Sequence, residues 1–100
     1  MPEVVRANVD LHEGHASPSP GPFHQTSYTG GSPNVFANNQ PIIRGAGTDS
    51  TVCGDPAVEL SSNVFVNGIG VHRKGDATGG HGSWVPNVAQ TGSPNVFIGV

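Results

Sequence analysis

One short segment occurs three times along this chain of 100 residues: Ser-Pro-Asn-Val-Phe at 32–36, Ser-Asn-Val-Phe at 62–65 and Ser-Pro-Asn-Val-Phe at 93–97. Asn34, Asn63 and Asn95 are therefore 29 and 32 residues apart. A unit this small cannot bury its own apolar face. Three copies must bury one another, either stacked in a row or closed around an axis.

The residues after each copy decide between the two. Phe36 leads through Ala37, Asn38 and Asn39 to Ile42, Ile43 and Arg44, and Phe65 leads through Val66, Asn67 and Gly68 to Val71, His72 and Arg73. Each reads as a strand, a two-residue turn and a return strand ending in arginine. Asn-Gly is a strong hairpin signal because a type I′ turn needs positive φ at both central residues, and Asn38-Asn39 is a weaker form of it. The third copy, Asn95 to Val100, has no return strand after it. Residues 3–10 supply one, since Val4, Val5 and Arg6 align with Val71, His72 and Arg73 when the chain is read as a circle. The pattern predicts an all-β domain over residues 1–100, with little or no helix. Three β-hairpin repeats would form a closed, pseudo-threefold body in which Glu3 to Ala7 pairs with Asn95 to Ile98.

Composition agrees. Glycine at 15 and proline at 9, against 34% hydrophobic residues, favour turns and short strands. A net charge of −3 with 11% charged residues offers no basic face for nucleic acid. One cysteine excludes an internal disulfide, so any cross-link in so small a core is expected to be a metal. No stretch approaches the roughly 18 apolar residues of a membrane span. The N-terminus lacks the basic and apolar regions of a signal peptide, which predicts synthesis and retention in the cytoplasm until something larger exports it.

The long loops between repeats carry the candidate ligands. His15 is nine residues after Arg6, Cys53 nine after Arg44 and His81 eight after Arg73. His24 precedes Asn34 by ten residues, as Cys53 precedes Asn63. His15, His24, Cys53 and His81 would make a closed tetrahedral site of three imidazoles and one thiolate. This donor set favours zinc, with ferrous iron the alternative. His12, three residues before His15, competes for a place among the ligands. His72 falls within a return strand and is assigned no metal role.

Phe36, Phe65 and Phe97 hold equivalent positions and are expected to pack in the core. Arg6, Arg44 and Arg73 are expected to pair with loop acids or neighbouring carbonyls. Asp10 and Asp76 read as turn initiators, and Tyr28 and Trp84 as packing residues near the ligand loops. A metalloenzyme would need an open coordination position and a nearby base. Four protein ligands argue against one, so no catalytic residue or small-molecule substrate is expected.

Laid out in this way, the chain resembles the PAAR-repeat family. The motifs that carry the resemblance are Gly31 to Phe36, Asn63 to Asp76 with its Asn-Gly turn and Arg-Lys-Gly-Asp end, Gly80-His81-Gly82, and Gly92 to Gly99. The first repeat departs from the pattern in having Arg44-Gly-Ala-Gly47 where Arg-x-Gly-Asp is usual. The resemblance implies a small cone whose point binds zinc through three histidines and one cysteine. Its base would cap a trimeric β-helical spike, one copy per trimer, that pierces a target cell envelope. It places the protein in a virion at the tip of a contractile phage tail spike, or alternatively on a type VI secretion spike, where such tips also carry effectors. The docking surface is expected around Ser32, Pro33, Asn34, Ser62, Asn63, Ser93, Pro94 and Asn95, with the serines at the rim.

Overall fold

The structure, a computed structural model, describes residues 2–15, 25–82 and 84–98. No helix occurs among these residues, and the domain is all-β, as the sequence predicts. Six short strands lie among the described residues: β1 (Tyr28–Thr29), β2 (Phe36–Ala37), β3 (Gln40–Pro41), β4 (Ser50–Thr51), β5 (Phe65–Val66) and β6 (Ile69–Gly70). All pair antiparallel, β2 with β3, β5 with β6 and β1 with β4.

The two predicted hairpins form with the predicted turns. Ala37 faces Gln40 and Val66 faces Ile69, leaving two-residue loops in which Asn38, Asn39, Asn67 and Gly68 have φ of 52°, 67°, 55° and 79°. Positive φ at both central positions gives the backbone the twist that flanking strands require. The third hairpin is completed from the other end of the chain. Glu3 bridges Phe97, and Val4 N–H donates to Val96 C=O at 3.1 Å, as Ile42 does to Val35 and Val71 to Val64, each at 3.1 Å.

Closure is visible in one ring of backbone hydrogen bonds. Val5 N–H donates to His72 C=O (3.1 Å), His72 N–H to Ile43 C=O (3.0 Å) and Ile43 N–H to Val5 C=O (3.0 Å). Each return strand is thus donor to one neighbour and acceptor from the other, and none is left as an edge at this level. Two apolar clusters flank the ring. One gathers Val4, Ile42 and Val71 with Ala37, Val66 and Ile98, against which Val35, Val64 and Val96 pack. The other gathers Val5, Ala7, Tyr28, Ile43, Ala57 and Ala89.

Successive strand residues point to opposite faces. Ala37, Val66 and Ile98 point in, so their neighbours Phe36, Phe65 and Phe97 point out and remain 54%, 58% and 47% exposed. The expectation that these phenylalanines fill the core is therefore wrong. The valines before them and the smaller residues after them already occupy that space.

The serine alignment also needs correction. In each repeat a buried serine hydroxyl accepts the N–H groups of the second and third residues after it, and these serines are Ser32, Ser61 and Ser93. Ser62 occupies the place of Pro33 and Pro94 and is exposed. Ser32 and Ser93 are fastening turns, with hydroxyls that also bond Asn67 and Asn38 of adjoining hairpins at 2.7 and 2.6 Å. They are not available as rim contacts.

The arginines pair as expected. Arg6, Arg44 and Arg73 form two-pronged ion pairs with Asp10, Asp49 and Asp76. Each carboxylate also accepts the N–H of the arginine it binds. Asp10 and Asp76 are thus ion-pair partners as well as turn residues. The first repeat, with Gly47 in the place that Asp76 holds after Arg73, reaches the same arrangement two residues later through Asp49.

Candidate metal centre

Strand β4 runs directly into the loop that carries the only cysteine. Thr51 N–H donates to Asp55 C=O and Gly54 N–H to Thr51 C=O, both at 3.0 Å, closing a tight turn over 51–55. Asp55 N–H donates to Thr51 Oγ1 (3.0 Å), and that hydroxyl lies 3.1 Å from Cys53 Sγ. The half-buried sulfur is thus held at the crest of the turn.

The two histidines that face it come from the N-terminal segment. His12 bridges Ala89, Glu13 N–H donates to Val88 C=O (2.7 Å), and Leu11 bridges Ser27, so this segment is held between two others. His12 and His15 are both buried, with ring centroids 5.1 Å apart and planes at 90°. Their Nε2 atoms stand 3.7 and 3.9 Å from Cys53 Sγ. One donor atom from each of His12, His15 and Cys53 lies within 4.8 Å of the others, close enough for the three to hold a metal ion.

Each imidazole is oriented through its other nitrogen. His12 Nδ1 lies 2.8 Å from Asp55 Oδ2, and His15 Nδ1 lies 2.7 Å from the Val85 carbonyl. Asp55 is fully buried and also accepts from Gly80 N–H (2.7 Å) and Asn87 Nδ2 (2.6 Å). Burial alone would raise its pKa. The hydrogen bonds from His12, Thr78, Asn87 and Gly80 outweigh that effect and hold the carboxyl at about 2, so it is ionised at neutral pH. Gly80 reaches it because the backbone there has φ of 74°, and a side chain would meet the Trp84 carbonyl, 2.6 Å from where its Cβ would stand.

Of the ligands expected from sequence, the structure brings His15 and Cys53 together. It places His81 against His15, with ring centroids 4.9 Å apart at 66°. His81 also stacks on Trp84 at 5.3 Å and 16°, across a turn closed by mutual backbone hydrogen bonds between the two residues. His24 lies outside the described residues. His12, a competing ligand on the sequence reading, is the third member of the compact group. Nothing in the repeat alignment selects it, and its only signal is a spacing of three from His15 on one strand-like segment. Asp55 carries no sequence signal of its place in the site, since a single acid in a Gly-Asp-Pro loop reads as a turn. His72 stands apart, with Nδ1 2.7 Å from Glu59 C=O and Nε2 3.0 Å from Tyr28 Oη.

No family model matches this chain, and neither a curated protein nor a solved structure matches it.

Proposed function

We propose that this protein is the tip of a trimeric β-helical spike in a contractile injection machine, a structural part rather than an enzyme. The carrying observation is that three phenylalanines at corresponding repeat positions, Phe36, Phe65 and Phe97, are all about half exposed. A single chain that offers the same apolar side chain three times can satisfy three identical subunits at once. The exposed Pro33, Asn34, Ser62, Asn63, Pro94 and Asn95 flank these positions and would form the polar rim of the base. The conical form belongs to the same proposal, and the body's extents of 38 × 23 × 23 Å, with two equal short axes, suit it.

At the other end of such a cone, a metal would tie the loops into a point. A tetrahedral zinc with Zn–N of about 2.05 Å and Zn–S of about 2.3 Å sets its N···S separation near 3.6 Å. The separations of 3.7 and 3.9 Å are close to that. His12, His15 and Cys53 supply three donors, and His81 or His24 the fourth. Zinc suits mixed imidazole and thiolate donors, and a closed set has a structural role. Binding would contribute on the order of 10 kcal/mol to folding, so the tip would resist the load of tail contraction.

Elemental analysis of the purified protein tests the metal, with one zinc per chain expected. Iron in its place would change the metal and leave the tip reading intact, whereas a metal-free, fully folded protein would remove the tied point. A contractile phage tail is the machine we propose. Isolation of the chain on type VI spikes would move it to that machine.

A further inference from the structure

We infer that Asp55 is the positioning residue of the metal centre, fixing the His12 ring so that Nε2 is presented to the ion, and that His12 is a ligand. The inference rests on the proposed metal centre and extends it to a residue beyond the ligands. The hydrogen bonds decide the tautomers. The carboxylate of Asp55 is an acceptor, so His12 Nδ1, at 2.8 Å from Oδ2, must carry the proton. The Val85 carbonyl is likewise only an acceptor, so His15 Nδ1 at 2.7 Å carries one too. Asn87 Nδ2 approaches His15 Nδ1 at 3.3 Å, but its two hydrogens are directed to Asp55 Oδ2 at 2.6 Å and Thr78 Oγ1 at 2.9 Å. Gly14 N–H, donating to Asn87 Oδ1 at 3.0 Å, fixes that amide the right way round. Both Nε2 lone pairs are then left facing Cys53 Sγ, at 3.7 and 3.9 Å.

Asp55 is suited to this part because it cannot turn. Its side chain is fully buried, and separate donors hold its two oxygens, Gly80 N–H on Oδ1 and Asn87 Nδ2 on Oδ2. The same residue secures the sulfur through its main chain, since Asp55 N–H binds the Thr51 hydroxyl that touches Sγ. One residue thereby sets the positions of two donors from segments some 40 residues apart in sequence. Carboxylates that accept from a ligating imidazole fix its tautomer and raise its basicity, and their loss typically weakens metal binding about 10- to 100-fold.

The test uses the zinc-loaded full chain. Long-range ¹H–¹⁵N NMR of the wild type should show His12 and His15 both ligated through Nε2 and protonated at Nδ1. A His12 bound through Nδ1, or not bound, overturns the inference without any variant having to fold. Competition with a chromophoric chelator should then show zinc affinity about 10- to 100-fold weaker in Asp55→Asn and weaker still in Asp55→Ala. The cobalt(II) form of each should show an altered ligand-field band. Asp49→Asn, which breaks a carboxylate in the Arg44 ion pair, controls for lost stability and should keep the wild-type cobalt spectrum. Wild-type affinity and spectrum in both Asp55 variants would overturn the inference while leaving the metal reading standing. A wild type that takes up no zinc or cobalt overturns the metal reading, and the inference with it.

Discussion

The hydroxyl of Tyr28 stands 3.0 Å from Nε2 of His72, and both side chains are fully buried. The Glu59 carbonyl, 2.7 Å from Nδ1, can only accept, so Nδ1 carries the proton and Nε2 accepts from Tyr28 O–H. His72 thus fills the position that Val5 and Ile43 fill in the other two repeats, with neither of its nitrogens left unsatisfied. An imidazole serves there as a core residue because the β1 tyrosine meets it.

Replacing His72 by Val should cost about 1–3 kcal/mol, since it strands the Tyr28 hydroxyl and the Glu59 carbonyl in the interior. Tyr28→Phe added to His72→Val should recover part of that loss, and urea unfolding of the wild type, the two single variants and the double variant would measure the coupling. The pH dependence has a definite sign. Burial lowers the His72 pKa below its free value of about 6.5, so the folded state disfavours the charged ring. The resulting stability is present above pH about 6.5 and is lost as pH falls toward and through the folded value. Acidification should therefore destabilise the wild type more steeply than the double variant. Parallel acid slopes would show that His72 does not stay neutral in the fold.

Each arginine–aspartate pair joins the end of a return strand to its following turn, so the three should be comparable in worth. Asp10→Ala, Asp49→Ala and Asp76→Ala each remove a carboxylate bound by a guanidinium and a backbone N–H. Each should cost about 2–3 kcal/mol, as expected for hydrogen bonds to charged groups. The value should change little with salt, because the aspartates are largely buried. A loss below about 1 kcal/mol at any one position would mean that the pair is solvated and ornamental there.

The hairpins, the circular closure and the arginine pairs were legible because each rests on local chemistry repeated three times. Asn-Gly dictates its turn wherever it occurs, and an orphan strand at each end of the chain leaves one pairing. The phenylalanines and serines were misplaced for a physical reason. In strands two residues long, hydrophobicity does not reveal which face is buried, and the small Ala37 could take the core site as readily as Phe36. Ser61 and Ser62 are adjacent, and only hydrogen bonding to Val64 N–H identifies the one that acts as Ser32 does. Repeat alignment singled out His15, Cys53 and His81 because they sit at corresponding loop positions, and the first two of these join the compact group. It could not find His12 or Asp55, which have no counterparts in the other repeats and meet across 43 residues.

Deleting residues 1–7 should remove one member of the backbone ring and take Val4, Val5 and Ala7 from the two apolar clusters. The strand from Asn95 to Ile98 would then have an unpaired edge. Size-exclusion chromatography should show association into larger species, and the thermal transition should be lowered or lost. A truncated chain that remains monomeric with an unchanged transition would show that closure contributes nothing to the fold.

The proposed base makes the sharpest demand on Phe36, Phe65 and Phe97. Because all three are about half exposed, changing them together to Glu should leave folding within about 0.5 kcal/mol per site, as is usual for surface positions. Zinc content should be unaltered. Binding to a trimeric β-helical spike should nevertheless be lost, since aromatic side chains at the centre of an interface carry most of its energy and a buried carboxylate there would have no partner. Ser32 and Ser93 are the wrong places to introduce charge, because their hydroxyls fasten the turns and a substitution would disturb the fold before it reached the surface. The complex of the unaltered protein should contain one copy per three spike chains, measured by native mass spectrometry. A stoichiometry of three to three, or full affinity in the triple Glu variant, would place the contact elsewhere on the molecule.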